Sequence, residues 1–183
     1  MLASQWLNEQ APSGLTLLKE HWEEGLPDLH GHRTSELPLY EPDGPRKTRT
    51  VADLLAGADY MLLYSSRLYG TIPRLPERYP DTTRYYDLLF QGDLGYQVVH
   101  VEQSLPSLLG VAFVNDTFSR PGLPPPEALA LDRPAAVTIG LGFADESFSV
   151  YDHPKVLILQ NVGRFSSDRL TALLSAEPPP EPY

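Results

Sequence analysis

The sequence has 183 residues, 42% of them hydrophobic and 10% aromatic, and a formal net charge of −10. That size and apolar content suit one folded domain with a core of its own and exclude a disordered chain. The acidic balance argues against nonspecific nucleic-acid binding, which needs clustered cations. The lack of cysteine excludes disulfides, thiolate catalysis and cysteine-ligated zinc.

In chain order, Ser4 to Gln10 reads as a short helix with Trp6 and Leu7 as its apolar contact, followed by the turn Ala11-Pro12-Ser13-Gly14. Leu15 to Lys19 is a short apolar strand that ends at Glu20-His21-Trp22-Glu23-Glu24. Residues 25–46 read as irregular and acidic, with Pro38-Leu39-Tyr40 extended. Val51, Leu54, Leu55 and Ala58 recur at i, i+3, i+4 and i+7, which predicts a helix from Lys47 to Ala56, stopped by Gly57. Tyr60 to Tyr64 is a continuous apolar run, as expected of a strand covered on both faces.

Asp81 is predicted to cap the next helix, which buries Tyr85, Leu88 and Leu89 and ends at Gly92 and Gly95. Tyr96 to Val101 is the following strand, and Leu108 to Val114 is a further candidate. Residues 115–145 read as a loop-rich insertion with a candidate strand at Val137 to Ile139. Phe148 to Tyr151 and Val156 to Leu159 flank Asp152-His153-Pro154-Lys155, which predicts a β-hairpin. Ser166 caps a last helix carrying Leu170, Leu173 and Leu174, and the proline-rich tail 177–183 is expected to be extended and disordered.

Strand and helix alternate through the first hundred residues, which implies right-handed crossovers. The expected fold class is α/β: a small, mainly parallel sheet with flanking helices, Rossmann-like but incomplete, plus a C-terminal β-hairpin and helix. One domain spans residues 1–176. No apolar run approaches the ~20 residues that cross a bilayer, and no basic and apolar leader opens the sequence. The chain is therefore expected to be soluble as it stands.

Open α/β sheets place ligands beyond the carboxyl ends of their strands. Two polar clusters hold that position here. Glu20, Trp22 and Glu23 follow the first strand and can hydrogen-bond and stack on a sugar, or form a solvated acidic turn under a packed indole. Ser65, Ser66, Arg67 and Tyr69 follow the Tyr60 to Tyr64 strand and offer an anion or hydroxyl site. Arg67, Arg74, Arg78 and Arg84 can meet one phosphate, or simply pair with Glu77, Asp81 and Asp87. Asp152 and His153 form an acid–imidazole pair whose ordinary role in a tight turn is local hydrogen bonding. A serine nucleophile at Ser66 would need His100 or His153 as its base, brought close by the fold. Asp28, His30 and His32 lack a further specified ligand, so no metal is assigned. Gly92-Asp93-Leu94-Gly95 joins helix to strand, the wrong place for a dinucleotide-binding turn, and no cofactor is implied.

The stretches EHWEEGLP, ADYMLLYSSRLYGTIPRLPERYP, TTRYYDLLFQGDLGYQ and ESFSVYDHPKVLIL resemble the C-terminal soluble region of a family of large bacterial and archaeal membrane proteins. These are polytopic proteins of the YYY type, grouped with the dolichyl-phosphate-mannose mannosyltransferase-like (family 39) glycosyltransferases. The resemblance covers most of residues 4–174. It implies transfer of sugars from lipid-phosphate donors on the outer face of the membrane, by carboxylates in a loop near membrane helices that this sequence does not contain. It therefore implies a non-catalytic, extracytoplasmic accessory domain. Its partners would be the transmembrane glycosyltransferase core and a glycan or polyprenyl-phosphate sugar. In that setting Trp22, Tyr69 and Tyr79 would stack on sugars, Glu20 and Glu23 would accept hydroxyls, and Arg67 and Arg74 would pair with phosphate. A ligand-free assembly module and a stand-alone hydrolase built on Ser66 are the alternatives.

Overall fold

The structure, a computed structural model, describes residues 2–11, 13–23, 25–26, 29, 31–103, 105–116, 137–143, 151 and 154–175. Helix α1 (Leu2–Gln10) leads into strand β1 (Thr16–Glu20), and strand β2 (Arg33–Leu37) follows. Helix α2 (Pro45–Gly57) starts on a proline, whose missing N–H costs nothing in the first turn. Strand β3 (Tyr60–Leu63), a 3-10 turn (Ile72–Arg74), helix α3 (Pro80–Gln91) and strand β4 (Tyr96–Gln103) come next. Strands β5 (Ser107–Leu108), β6 (Val111–Asp116) and β7 (Val137–Phe143) form a separate three-stranded sheet. Strand β8 (Lys155–Asn161) returns to the main sheet, and helix α4 (Ser167–Ser175) closes the described chain.

The fold is mixed α/β with two sheets and four helices, which corrects the expected mainly parallel, Rossmann-like sheet. The main sheet has the order β2-β1-β3-β8-β4. Strands β2, β1 and β3 pair in parallel, but β8 is antiparallel to both β3 and β4. It lies between two strands that a simple crossover would have made neighbours. The second arm expected of the hairpin, Val156 to Leu159, lies in β8, which pairs with β3 and with β4. The expected arm 148–150, the turn residues Asp152 and His153, most of the 115–145 insertion and the tail 177–183 lie outside the described residues.

Strand alternation divides the core in two. Leu18, Met61, Leu63, Leu157 and Leu159 face a large cluster with Val51 and Leu55 of α2, Tyr85, Tyr86 and Leu89 of α3, and Leu170 and Leu174 of α4. Leu17, Tyr60, Leu62 and Ile158 face the other way, onto Ala3 and Leu7 of α1. This two-sided burial explains why β3 is apolar at every position. Gly92 ends α3 in the left-handed conformation at φ 84°, where glycine has no Cβ to strain. Ser166 caps α4 by accepting the Arg169 N–H at 3.3 Å.

Asp81 does not cap α3. It sits inside the first turn and accepts from Thr48 Oγ1 at 3.0 Å. The capping carboxylate comes instead from Asp43, which accepts the Thr82 N–H at 3.0 Å and the Thr82 hydroxyl at 2.6 Å. Burial pushes the Asp43 carboxyl up, but hydrogen bonds from Lys47 and Thr82 outweigh it and hold the group below its ordinary value. The buried Lys47 ammonium lies 2.7 Å from Asp43 Oδ1, the Leu39 and Glu41 carbonyls and Thr82 Oγ1. One cation thus fixes the 39–43 turn to both α2 and α3. Removing one member of a buried pair strands the other charge, which costs about 3–5 kcal/mol. Lys47→Met is therefore expected to lower unfolding free energy by that order in urea titrations. A loss below about 1 kcal/mol would show that the pair contributes little.

Candidate functional site

The carboxyl ends of β1 and β3 lie side by side, since Leu17, Leu18 and Lys19 pair with Tyr60, Met61 and Leu62. Because β8 runs the other way, its first residues reach the same edge: Leu157 is opposite Leu63, and the buried Lys155 is opposite Gln103 of β4. The edge therefore gathers Glu20, Glu23, Ser65, Ser66 and Lys155, all buried.

Glu20 ends β1 and is wholly buried. Its Oε1 accepts a 2.6 Å hydrogen bond from the Tyr86 hydroxyl of α3, while Oε2 is buried with no partner. Burial is the largest influence on this carboxyl. The Tyr86 bond opposes it, the nearby Glu23 charge adds to it, and the pKa is pushed up to about 8. Tyr86 is raised well above its ordinary value, first by burial and then by the charge of Glu20. Glu23 Oε1 accepts from Ser65 Oγ at 2.8 Å, and its backbone carbonyl accepts from Lys19 Nζ at 2.7 Å. The His21 N–H donates to the Leu37 carbonyl at 3.2 Å. The turn between β1 and Glu23 is thus tied to β1, β2, β3 and α3.

Trp22 stands at the top of that turn. Its φ is +66°, a conformation that a bulky L-residue adopts only at a cost of roughly 1–2 kcal/mol. The indole is 62% exposed and stacks on Tyr40 with ring centroids 4.6 Å apart and planes 27° apart. His21 meets the indole edge-on at 5.2 Å. Tyr40 belongs to the turn whose carbonyls Lys47 holds. The same turn borders an open groove of about 670 Å3 lined by Glu36, Pro38, Glu41, Arg46, Thr50 and Leu54.

Comparison with protein-family models, curated proteins and solved structures finds no match.

The other expected contacts are dispersed. Tyr69 is fully buried and meets Tyr86 and Phe90 edge-on, so its ring belongs to the core. Tyr79 is also buried, beneath Lys47 and Arg78 at 5.5 and 5.2 Å from its centroid. Arg67 is half-buried, donates to the Tyr151 hydroxyl at 2.6 Å and lies 5.2 Å from that ring's centre. Arg74 is exposed in the 3-10 turn. Ser66 is buried at the end of β3. His100, offered as its base, stacks on Trp6 at 4.7 Å and lies 3.4 Å from Glu102. Asp28 and His30 lie outside the described residues with Asp152 and His153. Among the described residues no group of three His, Cys, Asp or Glu could hold a metal, and no helix is long and apolar enough to cross a membrane.

Sequence reasoning placed Ser65 at a strand end but missed Tyr86, Tyr40 and Lys155 as members of this edge. The doublet Tyr85-Tyr86 was a signal for the first of these. Nothing local marked Tyr40, whose role comes from stacking on a residue of another turn.

The raised Glu20 carboxyl has a signed consequence. Its folded pKa, about 8, lies above the ordinary 4.5, so the folded chain holds this proton more tightly than the unfolded chain. The Glu20 contribution to stability is therefore fully present in acid, declines as pH rises through 4.5, and levels off above about 8. The slope in that window approaches ~1.4 kcal/mol per pH unit. Glu20→Gln should flatten it, as measured by urea unfolding between pH 5 and 8.5. An unchanged slope in the variant would assign the titration elsewhere.

Proposed function

We propose that the chain is a non-catalytic accessory domain of a membrane glycosyltransferase, on the extracytoplasmic face, where it binds a glycan by stacking a sugar ring on Trp22. The observation that supports this reading is the strained and exposed indole of Trp22, laid on Tyr40 above a fully tied turn. Strain of this kind persists where surrounding contacts over-determine it, and it clusters at binding sites. A flat apolar ring edged by carboxylates is the chemistry that holds a saccharide: the C–H face of the sugar stacks and its hydroxyls donate to acids. Glu41, and Glu36 beside its 2.8 Å ion pair with Lys19, lie in the groove next to the turn and serve that second purpose. Glu20 and Glu23 do not, because their oxygens are buried and face Tyr86 and Ser65. They set the turn rather than touch the sugar. The resemblance to the outer region of YYY-type proteins supports the membrane setting.

Phosphate recognition by Arg67 and Arg74 is the weaker half of the expectation. Arg67 is already engaged by Tyr151, and the platform is bordered by acids. Binding to neutral oligosaccharides on an array, with Trp22→Ala as control, tests the reading. The substitution is expected to lower affinity at least about tenfold, the loss of one good stacking contact. Because the indole is exposed, the fold should survive. Equal binding by both proteins would refute the platform. Binding instead to polyprenyl-phosphate vesicles, abolished by Arg67→Glu, would transfer the site to the arginines.

The assembly-module reading has its own support. Leu108, Val111 and Val137 are paired across the second sheet and so share a face, with Phe113 and Ile139 two residues further on. Leu108, Val137 and Ile139 are exposed on it, and Leu109 at the turn is 96% exposed. If this face is an interface, Leu108→Ser with Leu109→Ser should reduce self-association in sedimentation experiments. A chain that is monomeric with or without the change, and that binds glycan, would count against this reading.

A further inference from the structure

The saccharide platform has an acid pair built beneath it. Glu20 and Glu23 bracket His21 and Trp22, and both carboxyls are withdrawn from water. Each is fastened to a different part of the core. Glu20 reaches α3 through Tyr86, and Glu23 reaches the end of β3 through Ser65. Between the two anchors Trp22 has its positive φ. We propose that Glu20 and Glu23 act as a proton-operated latch: the Trp22 platform stays closed on Tyr40 while the buried Glu20 keeps its proton, and is released when that proton passes to water. This rests on the reading of Trp22 as the platform and assigns its regulation.

The groups around Glu20 make the two states unequal. Tyr86 and Tyr85 face it from α3, and Glu23 from its own turn. Tyr40, from the turn after β2, acts on Tyr86, and Lys155 stands on the same edge at the start of β8. The groups that move the Glu20 carboxyl itself are Tyr86, which favours its charge, and Glu23, which opposes it. Burial outweighs the Tyr86 bond, so the protonated carboxyl is the form that fits. Once ionised, Glu20 is a desolvated anion beside a second carboxylate only three residues away, and a buried charge of this kind is relieved by reaching water. Reaching water requires the 20–23 turn to move, and the strain at Trp22 acts in the same direction. The midpoint then lies near pH 8, above which the platform and its saccharide contact are lost.

The latch can be read without any saccharide. In a Trp6→Phe background Trp22 is the sole indole, and its stack on Tyr40 gives a near-ultraviolet circular dichroism signal. That signal should fall in a one-proton transition centred near pH 8 when followed from pH 6 to 9. Glu20→Gln should hold it constant across the range. Glu23→Gln, which removes the charge that opposes ionisation, should move the midpoint to lower pH and keeps the test open if the first variant fails to fold. Absence of the transition in the Trp6→Phe protein, its persistence in Glu20→Gln, or an unmoved midpoint in Glu23→Gln would each overturn the latch. A transition without glycan binding at any pH would sink the saccharide reading and leave the latch intact. Glycan binding with no transition would do the reverse.

Discussion

Strand β8 holds the main sheet together. It enters between β3 and β4 and hydrogen-bonds to both. Without it β3 would present an open edge in the middle of the core, and buried peptide groups without partners are strongly disfavoured. Its last residue completes the closure. Asn161 donates to the Ala58 and Leu55 carbonyls at 2.9 and 3.3 Å and accepts the Arg164 N–H at 3.0 Å. Immediately beyond, the backbones of Gly95 and Gly163 approach so closely that a Cβ on Gly163 would lie 2.7 Å from the Gly95 Cα. A side chain there would force the end of β8 away from the start of β4.

The direction of β8 also decides what stands at this edge of the sheet. In a wholly parallel sheet every strand would deliver only its carboxyl end there. Here β1 and β3 deliver Glu20 and Ser65, while β8 delivers its amino end with Lys155 and, before it, Tyr151. Arg67 also meets Tyr151, a contact between residues far apart in sequence. Among the described residues, carboxyl and hydroxyl groups occupy the first strand ends of this edge.

Local signals in the sequence located the elements that local physics controls. The 3.6-residue recurrence of Val51, Leu54 and Leu55 marked α2, the apolar run at Tyr60 marked β3, and Gly92 marked the end of α3. Strand β2 left no such mark. As an edge strand it buries only Leu37, so its sequence RTSEL carries no alternation to read. Sheet order was hidden for another reason, since β8 finds β3 and β4 through non-local pairing. The position of Trp22 and Glu23 beyond a strand end was legible because they directly follow β1. Tyr69 was misassigned to sugar stacking, because a tyrosine's apolar body serves a core as well as a ligand. The partner of Glu20 is 66 residues away in sequence, and nothing near Glu20 announces that its carboxyl is buried.

Replacing Glu20 with an apolar residue would remove the desolvation cost but strand the hydroxyl of Tyr86, which is buried beside it, at roughly 1–3 kcal/mol. A carboxyl at this position accepts from that hydroxyl in either protonation state, so the bond to α3 does not by itself require a charge. Glu23 fixes the other end of the turn through Ser65, and Lys47 fixes the opposing turn that carries Tyr40. Both rings of the platform are therefore positioned by groups that reach into the core. Trp22 can be mostly exposed and still stack on Tyr40 because the hydrogen bonds of its turn are set below the surface. The buried acid that supplies half of that order is also a group whose carboxyl pKa burial pushes above its ordinary value.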